Sequence, residues 1–120
     1  MNSEYLRNRP EMSDPEYVAW RKIVMFRDEY RCQKAGCASK VGLEVHHILK
    51  FSQYPTLRYV VSNGIVLCRR HHEETFGKEE KFVKEFQKIV AVKQKKYRQF
   101  KKLRAKLKYR VKDPNNRFGY

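Results

Sequence analysis

All three cysteines and all four histidines of the chain fall between Cys32 and His72. Cys32-x4-Cys37 and Cys68-x2-His71 are separated by 30 residues, and two such knuckles can close a tetrahedral site of three thiolates and one imidazole. Zinc is the natural occupant, and the alternative is three reduced core cysteines near a surface histidine. Three thiols cannot all pair internally, and a reducing cytosol disfavours disulfides in any case. A chain of 120 residues has single-domain length and a modest core, so a structural metal would provide the staple such a core lacks.

Charge points to the partner. Lys and Arg number 28 against 13 Asp and Glu, giving +15, and a charge so far from neutral implies a polyanion. Residues 77–120 hold 16 Lys or Arg and 4 acids, and residues 93–112 hold 11 and none. Eleven like charges on one segment repel each other unless an anion is near, so Lys93, Lys95, Lys96, Arg98, Lys101, Lys102 and Arg104 are candidate contacts to double-stranded DNA. The same arm is compatible with RNA. Contacts of this kind make binding weaken steeply with salt and specify little sequence. No apolar run approaches the roughly 20 residues needed to span a bilayer, and residues 1–10 lack the apolar core of a secretory signal. A cytoplasmic protein without a membrane partner is expected.

The fold class expected is α+β. After a tail over residues 1–14, Asp14-Pro15 starts a helix over residues 15–27, with Val18, Trp20, Ile23, Val24 and Phe26 as its apolar surface. Gly36, Ser39 and Gly42 punctuate a loop over residues 30–42 that carries Cys32 and Cys37. Residues 43–49 and 59–67 read as two strands, the second interrupted by Ser62-Asn63-Gly64, around a loop containing Pro55. A short helix over residues 69–75, ending near Gly77, completes a core of residues 15–77. From Lys78 onward, Phe82, Phe86, Ile89, Tyr97, Phe100, Leu103 and Leu107 recur mostly at three- and four-residue intervals. That spacing predicts one long helix, a basic arm over residues 78–120 stopped by Asp113-Pro114-Asn115-Asn116. Its first part, Phe82, Phe86 and Ile89, is expected to pack on the core.

The histidines occur as two adjacent pairs, His46-His47 and His71-His72. Neighbours on a strand point to opposite sides, so His46 and His47 can serve one site only where the strand ends or bends. One can then bind a metal while the other handles a proton, because imidazole does both near neutral pH. Neighbours on a helix differ by about 100° in direction, so His71 and His72 cannot easily serve the same metal. Paired surface histidines without a function are the plainer reading.

His46-His47, Asn63 and His72, interleaved with Cys32, Cys37 and Cys68, resemble the HNH nuclease family and its ββα-metal, or His-Me finger, fold. The resemblance covers roughly residues 20–77. It implies that His46 and His72 bind a catalytic divalent cation and that His47 is the general base activating a water. Asn63 then restrains the loop that orients the base. Cys32, Cys37, Cys68 and His71 would hold structural zinc, although many zinc-bearing members have two Cys-x2-Cys pairs. Colicin-type nucleases carry a further histidine where this chain has Phe76. Two protein ligands suit a cation that tolerates water, Mg2+ first, with Mn2+ or Ni2+ as substitutes. The implied activity is metal-dependent endonuclease hydrolysis to 5′-phosphate and 3′-hydroxyl ends, with the cation on a non-bridging phosphate oxygen and the leaving oxygen. One site per chain suits a monomer that nicks, and small free-standing members are commonly phage-encoded homing or packaging-associated nucleases, acting in the host cytoplasm. The alternative is a non-catalytic zinc-bound nucleic-acid-binding module, which needs none of His46, His47 and Asn63.

Overall fold

The computed structural model describes residues 14–111, with side chains as far as residue 106. The tail before Asp14 and the stop sequence at residues 113–116 lie outside the described residues.

Helix α1, Pro15–Arg27, begins where the sequence places it: Asp14 is extended, its carboxylate accepts the Glu16 N–H at 2.9 Å, and Pro15 fills the first turn. The buried stripe is narrower than its apolar content. Trp20, Val24, Met25 and Arg27 are buried, whereas Ile23 and Phe26 are 38% and 46% exposed. Trp20, Val24 and Arg27 are four and seven residues apart and so share one side, and Ile23 and Phe26 fall off it. Phe26 instead meets Tyr97 and Phe100 with ring centroids 6.1 and 5.9 Å away.

After α1 the chain turns through Glu29 and Tyr30 at positive φ and forms the cysteine-bearing loop. Cys32 N–H donates to Ser39 O, and Gln33 N–H donates to Val66 O at 2.9 Å, which fastens the loop to the sheet. Strand β1, Leu43–His47, pairs antiparallel with β2, Gly64–Cys68, with Leu43 opposite Cys68 and His47 opposite Gly64. Both strands are shorter than expected. The first part of the second is replaced by a 3-10 turn at Val61–Asn63, because Asn63 turns its amide back on the chain, and the loop before it holds another 3-10 turn at Pro55–Leu57. Gly64 is required by packing: a Cβ there would lie 2.7 Å from Trp20 Cζ2 and 2.9 Å from Val24 Cγ2.

A short helix α2, Arg69–Glu74, follows β2 directly, and Gly77 at φ 74° turns the chain into α3, Glu79–Val111. Every residue of β2 is buried, as expected for a strand covered on both faces. Ile65 and Leu67 face Phe86 and Val90 of α3, while Val66 faces Trp20 and Val24 of α1. Phe82 and Ile89 pack beside Phe86, so the start of α3 belongs to the same core as Cys32 and Cys68.

A buried ion pair ties the layers together. Arg27 donates to both Asp28 oxygens at 2.9 and 3.0 Å, to Gly64 O, to Val61 O and to Gln94 Oε1 of α3. Asp28 in turn accepts the Val66 N–H. Because every polar atom of the pair is engaged, it is tolerated, but loss of one partner would cost on the order of 3–5 kcal/mol. Among the described residues no helix is long and apolar enough to cross a membrane.

Candidate metal centre and active site

Cys32 and Cys37 come from the loop after α1, Cys68 ends β2, and His71 lies in the first turn of α2. Their ligand atoms all lie within 4.8 Å of one another. His71 Nδ1 is 3.4 Å from Cys32 Sγ and 3.2 Å from Cys68 Sγ, and Cys37 Sγ is 3.9 Å from Cys68 Sγ. Tetrahedral zinc with Zn–S near 2.3 Å and Zn–N near 2.0 Å needs separations of about 3.8 Å between sulfurs and about 3.5 Å from sulfur to nitrogen. The four groups are close enough to bind a metal and compatible with structural zinc. Burial pushes the Cys32 thiol up to about 11, so a thiolate there calls for a cation beside it. Burial also opposes ionisation of Cys68, but the His71 backbone amide and the two neighbouring thiols outweigh it and hold Cys68 below the ordinary thiol value.

His46 and His47 diverge. His46 faces α2 and α3, edge-on to His72 at 5.4 Å and to Phe86 at 5.7 Å. It is buried, and its Nε2 has no hydrogen-bond partner. Burial, then the charges of His72 and His47, drives its pKa down to about 3, so the ring is a neutral ligand at any physiological pH. His72 places Nδ1 2.5 Å from Glu44 Oε2, a carboxylate that fixes the proton on Nδ1 and turns Nε2 into the free donor atom. His46 and His72 are the two imidazoles that would hold a second cation if one binds here. Glu44 was not among the expected site residues, yet the signal was present: it stands two places before His46, and strand alternation puts both on one face.

His47 lies on the opposite face, stacked on Trp20 with centroids 4.2 Å apart and planes 14° apart. Its Nε2–H donates to Arg58 O at 2.8 Å, which leaves Nδ1 as the acceptor. Burial lowers its pKa; the bond to Arg58 O works against this and the Arg58 charge works with it. Asn63 is buried in the turn before β2. Its Oδ1 accepts the Leu49 N–H at 2.9 Å, and its Nδ2 donates to Leu49 O at 3.1 Å and Leu57 O at 3.2 Å. Asn63 thus ties down both ends of the loop whose next residue, Arg58, holds His47. Trp20, Phe51 and Arg58 surround His47 without any sequence signal of that role.

Along α3, Lys95, Lys96, Arg98, Lys101, Lys102 and Arg104 are exposed. Lys93 is not free: its Nζ lies 3.7 Å from Glu29 Oε2. Lys101 Nζ sits over the Tyr97 ring at 5.4 Å. Phe100 and Leu103 are 44% and 57% exposed, so the apolar stripe leaves the core in this stretch.

No protein-family model, curated protein or solved structure matches the chain.

Proposed function

We propose that the chain is a metal-dependent DNA endonuclease of the HNH type, in which β1, β2 and α2 form a ββα-metal unit. The observation that carries this reading is the buried, partnerless Nε2 of His46 next to His72, one residue from an imidazole whose free Nδ1 is fixed by the Asn63-tied loop. A structural protein gains nothing from a buried polar atom without a partner, which costs about 1–3 kcal/mol. A site that receives a cation does.

His46 and His72 would hold Mg2+, or Mn2+ or Ni2+ in its place, and the cation would offset negative charge at the scissile phosphate and leaving oxygen. Glu44 keeps His72 in the tautomer that offers Nε2. His47, kept neutral by burial, accepts at Nδ1 the proton of the attacking water. The water oxygen bonds to phosphorus as the bond to the 3′ oxygen breaks, and that oxygen takes a proton from solvent water, which yields 5′-phosphate and 3′-hydroxyl ends. The exposed cations of α3 hold the duplex, and a monomer with one such site nicks one strand at a time.

Supercoiled-plasmid cleavage by wild type and His47→Ala, with EDTA, Mg2+, Mn2+ and Ni2+ compared side by side, tests the reading. Metal-dependent nicking that disappears in the variant is expected. The Cys32, Cys37, Cys68, His71 cluster on a basic chain favours a second reading, a zinc-bound nucleic-acid-binding module. That reading predicts DNA binding without cleavage by either protein in any metal.

A further inference from the structure

We infer that Arg58 binds a DNA phosphate beside His47, as the cation that positions the reacting group. The inference rests on the endonuclease reading.

Arg58 is tied to the base through its own backbone, since its carbonyl accepts the His47 Nε2–H. Its position is set by the 3-10 turn Pro55–Leu57, which it terminates, and that turn is bonded to Asn63 through Leu57 O. The guanidinium carbon lies over the Phe51 ring, 4.0 Å from its centroid, and the same ring meets His47 edge-on at 5.4 Å. Trp20, His47, Phe51 and Arg58 thus form one continuous chain of ring and cation contacts.

The charge in this cluster is unanswered. Among the described residues no carboxylate lies within ion-pair distance of Arg58, and its Nε is buried without a partner. The Asp14 carboxyl is held below its ordinary value first by the Tyr59 hydroxyl, whose hydrogen bond it accepts at 2.6 Å, then by the Glu16 amide, and the Arg58 charge is the smallest of the causes. Arg27, Arg69 and Arg70, by contrast, each face an acid. A guanidinium whose carbon packs over an aromatic ring keeps N–H groups for an anion, and its fork can take two phosphate oxygens at once. The phosphate would supply the counter-charge that the protein withholds.

The test compares wild type, Arg58→Gln and Arg58→Lys. All three keep the backbone carbonyl that holds His47 and an aliphatic stem over Phe51. Two readouts are taken on the zinc-bound protein: the salt dependence of duplex binding with no other divalent cation added, and kcat and KM for cleavage with Mg2+ or Mn2+. Arg58→Gln is expected to make the slope of log K against log salt shallower by about 0.9, one phosphate contact. It is also expected to cut kcat by about 100-fold or more, with an unchanged melting temperature. Arg58→Lys should restore the slope but only part of kcat, because an ammonium is a point charge without the fork. A wild type that cuts while Arg58→Gln matches its slope and rate overturns this inference alone. So does equal loss of activity in both variants with an unchanged slope, which marks a packing role. A wild type that fails to cut with any of these cations overturns the endonuclease reading and this inference with it.

Discussion

Asn63 pairs with both backbone groups of Leu49, accepting its N–H at 2.9 Å and donating to its carbonyl at 3.1 Å, as a neighbouring strand would. The side chain thereby continues the ladder past His47, where β1 ends, and its second amide hydrogen reaches Leu57 O. Alanine leaves three backbone groups without these partners, and we expect a loss of about 2–4 kcal/mol in urea unfolding. Aspartate should do no better, since it cannot donate and would face two carbonyl oxygens with a charge. Both variants should lose cleavage, because the loop that carries Arg58 and holds His47 is released. Wild-type stability in Asn63→Asp would show that the carboxamide's donor bonds contribute little.

The cysteine cluster makes a prediction about folding itself. Structural zinc in small sites contributes an apparent 10–16 kcal/mol, roughly, at neutral pH, against a net domain stability of about 5–15 kcal/mol. Metal removal should therefore melt this chain or lower its transition by tens of degrees. Metal analysis should find one zinc per chain, absent after Cys37→Ser, a position that is only partly buried and so costs little packing. His71→Cys should keep the metal, since it supplies a fourth thiolate. Identical melting with and without chelator would make the four groups a reduced cysteine core.

Where signals are local, the chain is readable. Asp14-Pro15 starts α1, and the two Cys and Cys-His spacings place four ligands together. The strands run long in the sequence reading because Tyr59, Val60 and Val61 have strand composition but lie in irregular chain and a 3-10 turn organised by the Asn63 side chain. Burial of Arg27 and Asp28 runs against the usual exposure of charge and depends in part on Gln94, 67 residues away. Arg58 leaves no trace at all: it sits in an aperiodic loop and reaches His47 through a carbonyl across 11 residues. Site geometry built from backbone groups of loops is invisible to residue patterns.

Burial of His46 gives stability a defined pH slope. Above about pH 6.5 the ring is neutral in both folded and unfolded chains and contributes no dependence. As pH falls below that value the unfolded chain takes up a proton that the folded His46 refuses until about pH 3. The folded state is then the one with fewer protons, so stability drops with falling pH by up to about 1.4 kcal/mol per unit from this group. Urea unfolding of wild type and His46→Gln at pH 7, 6 and 5, with zinc present and no other divalent cation, should show a steeper decline for wild type. Comparing the two at each pH cancels the proton uptake of the cysteines. Parallel curves would mean that His46 is protonated in the folded state.

The last prediction separates the cations of α3 by their partners. Lys96, Lys102 and Arg104 are exposed with no acid within ion-pair distance among the described residues, whereas Lys93 faces Glu29 at 3.7 Å. A cation already answered by a carboxylate releases fewer counterions when a phosphate approaches, because part of its charge is spent inside the protein. Replacing Lys96, Lys102 and Arg104 together by Gln should flatten the salt slope of duplex binding by about 2.7, roughly 0.9 for each phosphate contact. Lys93→Gln should change it by clearly less than one contact. Stability should stay within about 0.5 kcal/mol of wild type for the triple variant, since exposed side chains are altered. A slope unmoved by the triple change would take the DNA contacts off this stretch of α3 and onto the hairpin around His47 and Arg58.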